Sequence, residues 1–321
     1  MKAYILNEPG DSSVLKLSEV AKPNVKPSEV LIRTKAISIN PVDAKSRAGK
    51  GIFGRFKDQL PLILGWDISG TVEEIGSDVT EFKVGDDVFG MVNFPGLGKG
   101  YAELVSAPAD QIALKPKSIS FEHSVAATLA ALTAYQILKP NVKAGDKVLI
   151  QSAGGGVGHF AIQIAKIFGA DVTGITSTKN LDFVKSLGAD HVIDYHETPF
   201  EDARGFDFSL DTLSGEMLEK LSHTVKDGGI LWTLPSGANH DVLEAEIAKR
   251  NVRLGFHMVE SNGDDMKQIA EWLESGQLKP EVSQVFDFDE LPKAHESIES
   301  GHTRGKIVIR LQTFVSVCKR T

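Results

Sequence analysis

The chain has 321 residues, is 41% hydrophobic and carries a formal net charge of −8 at pH 7. This length and composition predict a folded globular protein with one to three domains and substantial hydrophobic cores. The acidic balance disfavours binding to nucleic acid or to an anionic membrane surface, because both attract basic proteins.

Cysteine usage and apolar patterning indicate the compartment. The only cysteine, Cys318, lies near the C-terminus, so we expect no intrachain disulfide and no cysteine-rich zinc site. No stretch approaches the roughly 20 apolar residues that span a bilayer, and the N-terminal residues lack the apolar core of a signal peptide. We therefore expect a cytoplasmic protein that does not enter membranes.

The first 120 residues are predicted to form short antiparallel strands. Apolar and β-branched runs alternate with turn clusters such as Lys83-Val84-Gly85-Asp86. The clearest runs are "VLIRTKAISI", "ISGTVEEIG" and "DDVFGMV". This pattern favours a β-rich, partly barrel-like domain.

The texture changes after Ser120, where "SFEHSVAATLAALTAYQIL" predicts a long helix with Ser120 as its N-cap. Six apolar runs then alternate with helical segments: "KVLIQ", "DVTGIT", "HVID", "FDFSLD", "GILWTL" and "VRLGFHM". Such alternation is typical of βαβ units, in which a parallel sheet carries helices on both faces. The sequence thus predicts a doubly wound α/β domain.

The last part of the chain contains two helical patterns, "DDMKQIAEWLESG" and "DELPKAHESIESG", and a strand, "GKIVIRL". We expect these elements to return to the first domain. The predicted organisation is a β-rich domain over 1–120, a doubly wound domain over 121–258, a return to the first domain over 259–311 and a tail over 312–321.

A glycine-rich turn lies in "VLIQSAGGGVGHFAIQIAK", between a predicted strand and a predicted helix. A helix N-terminus presents unpaired N–H groups and the positive end of its dipole to an anion. The spacing from Gly155 to Gly158 matches the last two glycines of the dinucleotide fingerprint, with Ala153 in the first position. The turn predicts a nucleotide diphosphate site; a methyltransferase site and a plain tight turn are the alternatives.

The segment after the next strand bears on which nucleotide is bound. It reads Ser177-Thr178-Lys179-Asn180, where an NAD site would place an acidic residue on the ribose 2′-hydroxyl. A hydroxyl and an ammonium suit a 2′-phosphate, which a carboxylate would repel. We therefore expect NADP(H); the alternative is an ordinary polar start of the helix "LDFVKSLG".

At this point the chain resembles the medium-chain dehydrogenase/reductase family, and specifically its zinc-independent quinone oxidoreductase group. The resemblance extends to Leu311 and rests on these blocks, in order: "ISINPVDAKSRAG", "LPLILGWDISGTVEEIG", "VGDDVFGMV", "GYAELVSAPADQIALKP", "AATLAALTAYQIL", "SAGGGVG", "SLGADHVIDY" and "TRGKIVIRL". It implies a GroES-like catalytic domain interrupted by a Rossmann NADP(H)-binding domain, with the nicotinamide and the substrate in the cleft between them.

Zinc-dependent members of the family hold catalytic zinc with Cys, His and Cys. Here the first of those positions falls within Ser38 to Pro41, and the block that normally contains the histidine reads Gly65-Trp66-Asp67. Neither segment offers a thiolate or an imidazole. Because the required ligands are missing, the sequence predicts no metal site. We expect His123, His159 and His257 to be ordinary surface or interdomain residues.

The resemblance also implies roles for individual residues. Asn40 is expected beside the nicotinamide and the acceptor carbonyl, with Asp43 and Lys45 behind it and Thr133 against the nicotinamide. In several quinone reductases a tyrosine stands in place of Lys45. The alternatives are a turn and helix cap for Asn40 and Asp43, and for Thr133 a hydroxyl bonded to its own helix.

Cofactor contacts are implied at a further set of positions. The resemblance places Ser152, Gly155, Gly156, Val157 and Gly158 around the diphosphate. Other expected contacts follow later strands: Ser177, Lys179, Tyr195, Leu234, Ser236 and Phe256. Alternative readings are a half-buried strand end for Tyr195 and a core aromatic for Phe256.

The sequence therefore predicts an NADPH-dependent reductase that delivers hydride to a quinone or, as the alternative, to an α,β-unsaturated carbonyl. Such electron-poor acceptors need no Lewis acid. No dedicated general acid is evident, and water is the expected proton source. A nucleotide-binding structural or RNA-binding protein is the alternative of another class, and the resemblance also implies a homodimer.

Overall fold

A computed structural model describes residues 1–234 and 241–311. Ser236 and the predicted tail over 312–321 lie outside the described residues. The strands are β1 (Lys2–Leu6), β2 (Leu15–Glu19), β3 (Glu29–Ile39), β4 (Asp67–Ile75), β5 (Asp87–Met91), β6 (Leu104–Pro108), β7 (Ile112–Leu114), β8 (Lys147–Ile150), β9 (Asp171–Thr176), β10 (His191–Asp194), β11 (Phe206–Asp211), β12 (Val225–Thr233), β13 (Arg253–Phe256), β14 (Val282–Asp287) and β15 (Lys306–Arg310).

The helices begin and end within the loops between these strands. They are α1 (Pro41–Arg47), α2 (Phe121–Ala126), α3 (Leu129–Leu138), α4 (Gly158–Ile167), α5 (Leu181–Ser186), α6 (Glu216–Ser222), α7 (Asp241–Ala248), α8 (Gly263–Glu274) and α9 (Leu291–Glu299). None of the helices in the described ranges combines the length and the hydropathy needed to cross a bilayer.

The first sheet is mostly antiparallel and has the order β14-β15-β3-β4-β5-β7, with β6 also paired to β3. Its register decides which residues share the sheet end near residue 40. Ile39 lies opposite Ile307, and Ser38 lies opposite Asp67. The ends of β3, β4 and β15 therefore bring Asn40, Asp67 and Lys306 to one place, although they are far apart in the sequence.

The second sheet is parallel and has the strand order β10-β9-β8-β11-β12-β13. This is the doubly wound order of dinucleotide-binding domains. The six apolar runs singled out in the sequence correspond to these six strands, so the predicted fold class is confirmed.

Alternation along β8 shows that helices cover both faces of this sheet. Val148 and Ile150 pack in one core with Phe160 of α4, whereas Leu149 packs in another with Leu218 and Leu221 of α6. Successive strand residues point to opposite faces, and here each face finds a helix to bury against.

The predicted long helix after Ser120 is in fact two helices, α2 and α3. The break falls at Ala127 and Thr128, where the Asp67 carboxylate accepts a hydrogen bond from the backbone N–H of Leu129 at 3.0 Å. A carboxylate at a helix N-terminus satisfies an unpaired donor and favours the dipole. Asp67 thus allows a new helix to begin at Leu129, and Ser120 caps α2 as predicted.

Aromatic side chains join α3, α4 and α8 between the two sheets. The rings of Tyr135 and Trp272 meet edge to face with centroids 5.0 Å apart, and Phe168 lies against both. Such pairs add stabilisation beyond the apolar area that they bury. This packing holds the parallel sheet against the elements that carry the final strands.

Candidate active site

The glycine-rich turn follows β8 and leads directly into α4. Ser152 adopts a φ of 49°, and the N–H of Gly155 closes the turn on the Ser152 carbonyl at 2.8 Å. A side chain at Gly158 would place its Cβ 2.2 Å from the Ser152 oxygen, so only glycine allows the helix to pack this closely. At Gly156 the nearest atoms would be 3.6 Å from a Cβ, which leaves that backbone approachable.

The turn lies where the strand order reverses, between β8 and β11. Thr212, just after β11, donates its hydroxyl to the Ser152 hydroxyl at 2.8 Å and its N–H to the Gln151 side chain at 3.1 Å. Ligands of doubly wound folds bind in this crevice at the carboxyl ends of the strands. The backbone geometry and the location both fit a nucleotide diphosphate.

His159 connects this turn to the other sheet. Its Nδ1 donates to the Gly155 carbonyl at 2.8 Å, and its Nε2 accepts from the N–H of Glu281, before β14, at 3.3 Å. The ring is completely buried, and burial lowers the pKa of His159 to about 4. His159 is therefore an interdomain residue and not a surface one, and it is neutral at pH 7.

Asn40 caps α1 and lies at the centre of a buried polar cluster. Its backbone N–H donates to Asp43 at 2.9 Å, as in a capping box, and its side-chain Nδ2 donates to Asp67 at 2.7 Å. The Lys306 ammonium donates to Asn40 Oδ1 and to the Ile39 carbonyl. Asn40 and Asp43 thus form the turn and helix cap of their alternative reading, and the same residues also contact other ionisable side chains.

A second line of buried groups extends from Asp43. The Tyr101 hydroxyl donates to Asp43 Oδ1 at 2.8 Å and lies 2.9 Å from Nε2 of His295 on α9. All three side chains are fully buried. We name the set Asn40, Asp43, Asp67, Tyr101, His295 and Lys306 the buried polar cluster.

Burial dominates the protonation of this cluster. It raises the pKa of Asp43 to about 7, also raises that of Asp67, lowers the pKa of Lys306 and lowers that of His295 to about 3. The Lys306 charge acts against the shifts of both carboxyl groups. Desolvation penalises a charged form wherever opposite charges do not fully replace water.

The glycine-rich turn and the buried polar cluster meet. The N–H of Gly305 donates to the Gly154 carbonyl at 2.9 Å, and the stem of Lys306 passes 3.6 Å from where a Gly156 Cβ would stand. A molecule lying over the turn would therefore also approach the cluster through Lys306.

The residues predicted for the 2′-phosphate surround the ends of β9 and β10. Lys179 is exposed, and Tyr195 is 49% exposed, with its ring tilted against that of His196 at a centroid distance of 4.3 Å. Between them, the Asp194 carboxylate accepts a hydrogen bond from the His196 N–H at 3.0 Å, and the nearby Thr178 side chain helps to lower the pKa of Asp194. Asp194 directly precedes Tyr195 in the sequence, and its carboxylate therefore makes a local hydrogen bond at this end of β10.

Four other predicted site residues do not belong to the buried polar cluster. Thr133 is buried and donates its hydroxyl to the Leu129 carbonyl at 2.7 Å, as its alternative reading expected. Lys45 is exposed on α1, Leu234 follows β12, and Phe256 is 54% exposed at the end of β13. The core-aromatic reading of Phe256 is therefore wrong, because this side chain is not buried.

Sequence reasoning missed Lys306, Asp67, Tyr101, His295 and the bridging role of His159. Two of these carried a usable signal. Lys306 is a charged residue at the start of the apolar strand "KIVIR", and Asp67 begins the strand "DISGTVEEI" among apolar neighbours. A charge in such a position is seldom buried unless it is paired.

The donor set at this place does not fit zinc. Neither the segment Ser38 to Pro41 nor Gly65-Trp66-Asp67 contains a cysteine or a histidine, and the nearby carboxyl groups of Asp43 and Asp67 interact electrostatically with Lys306. Within residues 1–234 and 241–311 no group of three or more His, Cys, Asp or Glu is arranged to hold a metal ion.

Comparison with known proteins matches two family models. The alcohol dehydrogenase GroES-like domain matches residues 26–117, and the zinc-binding dehydrogenase model matches residues 187–309. The chain is 37% identical to 2-methylene-furan-3-one reductase of Solanum lycopersicum and 34% identical to the chloroplastic NADPH-dependent alkenal/one oxidoreductase of Arabidopsis thaliana. Each alignment covers 96% of this chain and 79% of the relative.

A solved structure agrees with these relatives. The quinone oxidoreductase from Coxiella burnetii superposes with a TM-score of 0.91 at 35% identity, covering 97% of this chain and 99% of that one. The chain therefore belongs to the medium-chain dehydrogenase/reductase family, as its sequence blocks predicted.

Proposed function

We propose that the protein is an NADPH-dependent reductase that transfers hydride to a quinone. The observation that carries the proposal is the meeting of the glycine-rich turn and the buried polar cluster at the link between Gly305 and Gly154. This arrangement brings the turn that we propose for the nucleotide next to a set of buried polar groups. The names of the Arabidopsis relative and of the Coxiella structure support the cofactor and the acceptor, respectively.

The cofactor contacts are proposed from the fit of this chain's own residues. The turn supplies open backbone at Gly156 for the diphosphate, together with the N-terminus of α4, and Gly155 is proposed as a further contact. Ser177, Lys179 and the exposed Tyr195 ring are proposed for the 2′-phosphate. The remaining proposed contacts are Ser152, Val157, Gly158, Leu234, Ser236 and Phe256.

When bound, NADPH would supply the hydride, and the protein would position the acceptor. Asn40 is proposed to lie beside the reacting groups, where its carboxamide can donate a hydrogen bond to the acceptor oxygen. Asp43 supports Asn40 through the capping bond, and Thr133 and Lys45 are proposed to line the cleft. Water is proposed to protonate the reduced acceptor, since no described acid has been placed against it.

Catalysis is proposed to proceed without zinc. The donor set around Asn40 lacks the ligands that the metal-dependent members use, and an electron-poor acceptor takes up hydride without Lewis-acid activation. Elemental analysis and treatment with a chelator test whether zinc is needed. Stoichiometric zinc in the active protein, together with loss of turnover on chelation, would contradict the proposal.

A second acceptor class has its own support. The tomato and Arabidopsis relatives are named as reductases of a 2-methylene-furan-3-one and of alkenals and alkenones. The β-carbon of an enone is therefore the alternative hydride acceptor. Steady-state assays with one quinone and one enone, at equal NADPH, decide between them by the larger kcat/KM.

The cofactor proposal is tested with Lys179→Ala and its matched control, Lys185→Ala. Both lysines are exposed, but Lys185 lies at the far end of α5 from the proposed phosphate. Loss of a phosphate partner should weaken NADPH binding about tenfold or more in Lys179→Ala, without affecting NADH. Fluorescence titration measures both; a wild type that binds neither nucleotide would remove the reductase proposal.

Assembly and location are proposed separately. We propose a homodimer in the cytoplasm that binds no nucleic acid, with the apolar strands β12 and β13 at the interface; β13 is an edge strand of the parallel sheet. Light scattering across a concentration series tests the dimer, and a salt series of filter binding tests for nucleic acid.

A further inference from the structure

The Lys306 ammonium is a buried cation in the middle of the proposed site. Lys306 begins β15 and is 3% exposed, and its Nζ donates to Asn40 Oδ1 and, at 3.1 Å, to the Ile39 carbonyl. Burial lowers the pKa of Lys306, and the nearby carboxyl groups of Asp67 and Asp43 oppose that shift electrostatically. A lysine is rarely this buried without such partners.

The Asn40 carboxamide is held at both of its ends by opposite charges. Its oxygen accepts from the Lys306 ammonium, and its Nδ2 donates to an Asp67 oxygen at 2.7 Å. Flipping the amide would turn its oxygen towards a carboxylate and its N–H groups towards an ammonium, and both contacts would be repulsive. The two contacts therefore favour one orientation of the amide, in which one N–H of Nδ2 is used by Asp67 and the second has no acceptor among the described residues.

The same lysine is tied to the nucleotide-binding turn. Gly305 precedes it and bonds to Gly154, and the Lys306 stem lies beside Gly156. Removing the ammonium leaves these backbone contacts in place. The effect on Asn40 can therefore be separated from the effect on the turn.

We propose that Lys306 is a positioning residue of the reductase reaction, which fixes the Asn40 carboxamide in the orientation that meets the acceptor. The inference rests on the proposed function, because it needs an acceptor beside Asn40. The competing explanation is that Lys306 only neutralises the two aspartates and holds β15 against β3.

The test compares Lys306→Met with the control Lys166→Met. Methionine keeps the length of the stem and removes the charge, and Lys166 also donates to a backbone carbonyl and to a carboxylate, that of Asp190, on the parallel sheet. For Lys306→Met we expect NADPH affinity within about threefold of wild type and kcat lower by about 10²-fold, as for other misplaced polar groups. Lys166→Met should keep the wild-type kcat.

Rescue separates positioning from simple support. In Lys306→Ala, propylammonium replaces the deleted atoms and should restore kcat at least about tenfold with saturation, whereas propanol should not. A folded Lys306→Met protein with wild-type kcat would overturn the proposal. So would a loss of kcat that matches an equal loss of NADPH binding and is not restored by the amine.

A further variant keeps the test decisive if Lys306→Met does not fold. The double variant Lys306→Met/Asp67→Asn removes a cation and an anion together, so no buried charge is left uncompensated on that pair. A folded double variant with low kcat supports the proposal, and one with wild-type kcat overturns it. Failure of the proposed function is distinguishable, because it would show as a wild type without NADPH-dependent turnover.

Discussion

Gly305 donates its backbone N–H to the carbonyl oxygen of Gly154 at 2.9 Å. One hydrogen bond therefore joins the residue before β15 to the glycine-rich turn after β8. Lys306 comes next in the chain and contacts Asn40, so the turn and the buried polar cluster share a covalent neighbour. The hydrogen bond of Gly305 and the side-chain contact of Lys306 are separate, so substitutions can test the turn and Asn40 individually.

Alanine at three glycines separates packing from nucleotide binding. At Gly158 a Cβ would meet backbone at 2.2 Å, so Gly158→Ala should destabilise the protein by about 1–3 kcal/mol. At Gly156 the space is open, so Gly156→Ala should leave stability nearly unchanged and weaken NADPH binding roughly tenfold, because the diphosphate must approach that backbone. Thermal unfolding and fluorescence titration measure the two effects.

Gly54→Ala is the control for these variants. Nothing lies within 4 Å of a Cβ at Gly54, so both measurements should match wild type. If Gly156→Ala bound NADPH as tightly as wild type, the diphosphate would not lie over this turn.

His159 should make the protein less stable in acid. Its pKa is about 4 in the folded protein and near 6.5 when unfolded, so between these values the unfolded state binds more protons. The contribution of His159 is therefore fully present above pH 6.5 and is lost as the pH falls towards 4, by an amount on the order of 3 kcal/mol.

The variant His159→Asn isolates this effect, because asparagine can still donate to Gly155 but does not titrate. Urea unfolding at pH 7.5 and 4.5 should show a smaller loss of stability in the variant than in wild type. The exposed His191 gives the control His191→Asn, which should keep the wild-type stability at pH 7.5 because little buried contact is lost. Equal pH dependence in wild type and His159→Asn would contradict a neutral, buried His159.

The pair Arg47–Glu299 should matter for stability but not for nucleotide binding. The Arg47 guanidinium is 2% exposed, and it donates to both Glu299 oxygens, at 3.1 and 2.5 Å. Glu299→Ala leaves the buried Arg47 guanidinium without its charged partner, so we expect a loss of about 1–3 kcal/mol in the free energy of unfolding. Denaturant unfolding measures the loss, and NADPH titration should be unchanged.

Lys267→Ala provides the comparison with an exposed pair. Lys267 and its partner Asp264 are 60% and 90% exposed, so removing this pair should change stability by less than about 1 kcal/mol. Equal losses of unfolding free energy in Glu299→Ala and Lys267→Ala would mean that the burial of Arg47 does not increase the contribution of its ion pair to stability.

The elements of the parallel sheet could be predicted because their signals are local. Each of its six strands contains a short apolar run. The turn after β8 is recognisable from its glycines, which allow other groups to approach the backbone closely. The helix from Ser120 was predicted without its break, because the break depends on the Asp67 carboxylate, 62 residues away from Leu129. A local pattern cannot show a cap that comes from a distant strand.

The residues of the candidate site also divide into those with a local sequence signal and those brought together only by the tertiary structure. The local sequence by itself identified the glycine-rich turn and indicated a turn and helix cap at Asn40 and Asp43, because the backbone geometry of these short motifs follows from their residue types. The place of Asn40 and Asp43 in the candidate site was implied by the family resemblance. The local sequence did not identify Lys306 as the partner of Asn40, since the two are 266 residues apart and meet through the register of β15 against β3. Strand register depends on packing over the whole sheet, and burial in that sheet turns an ordinary lysine into a charge that must be paired.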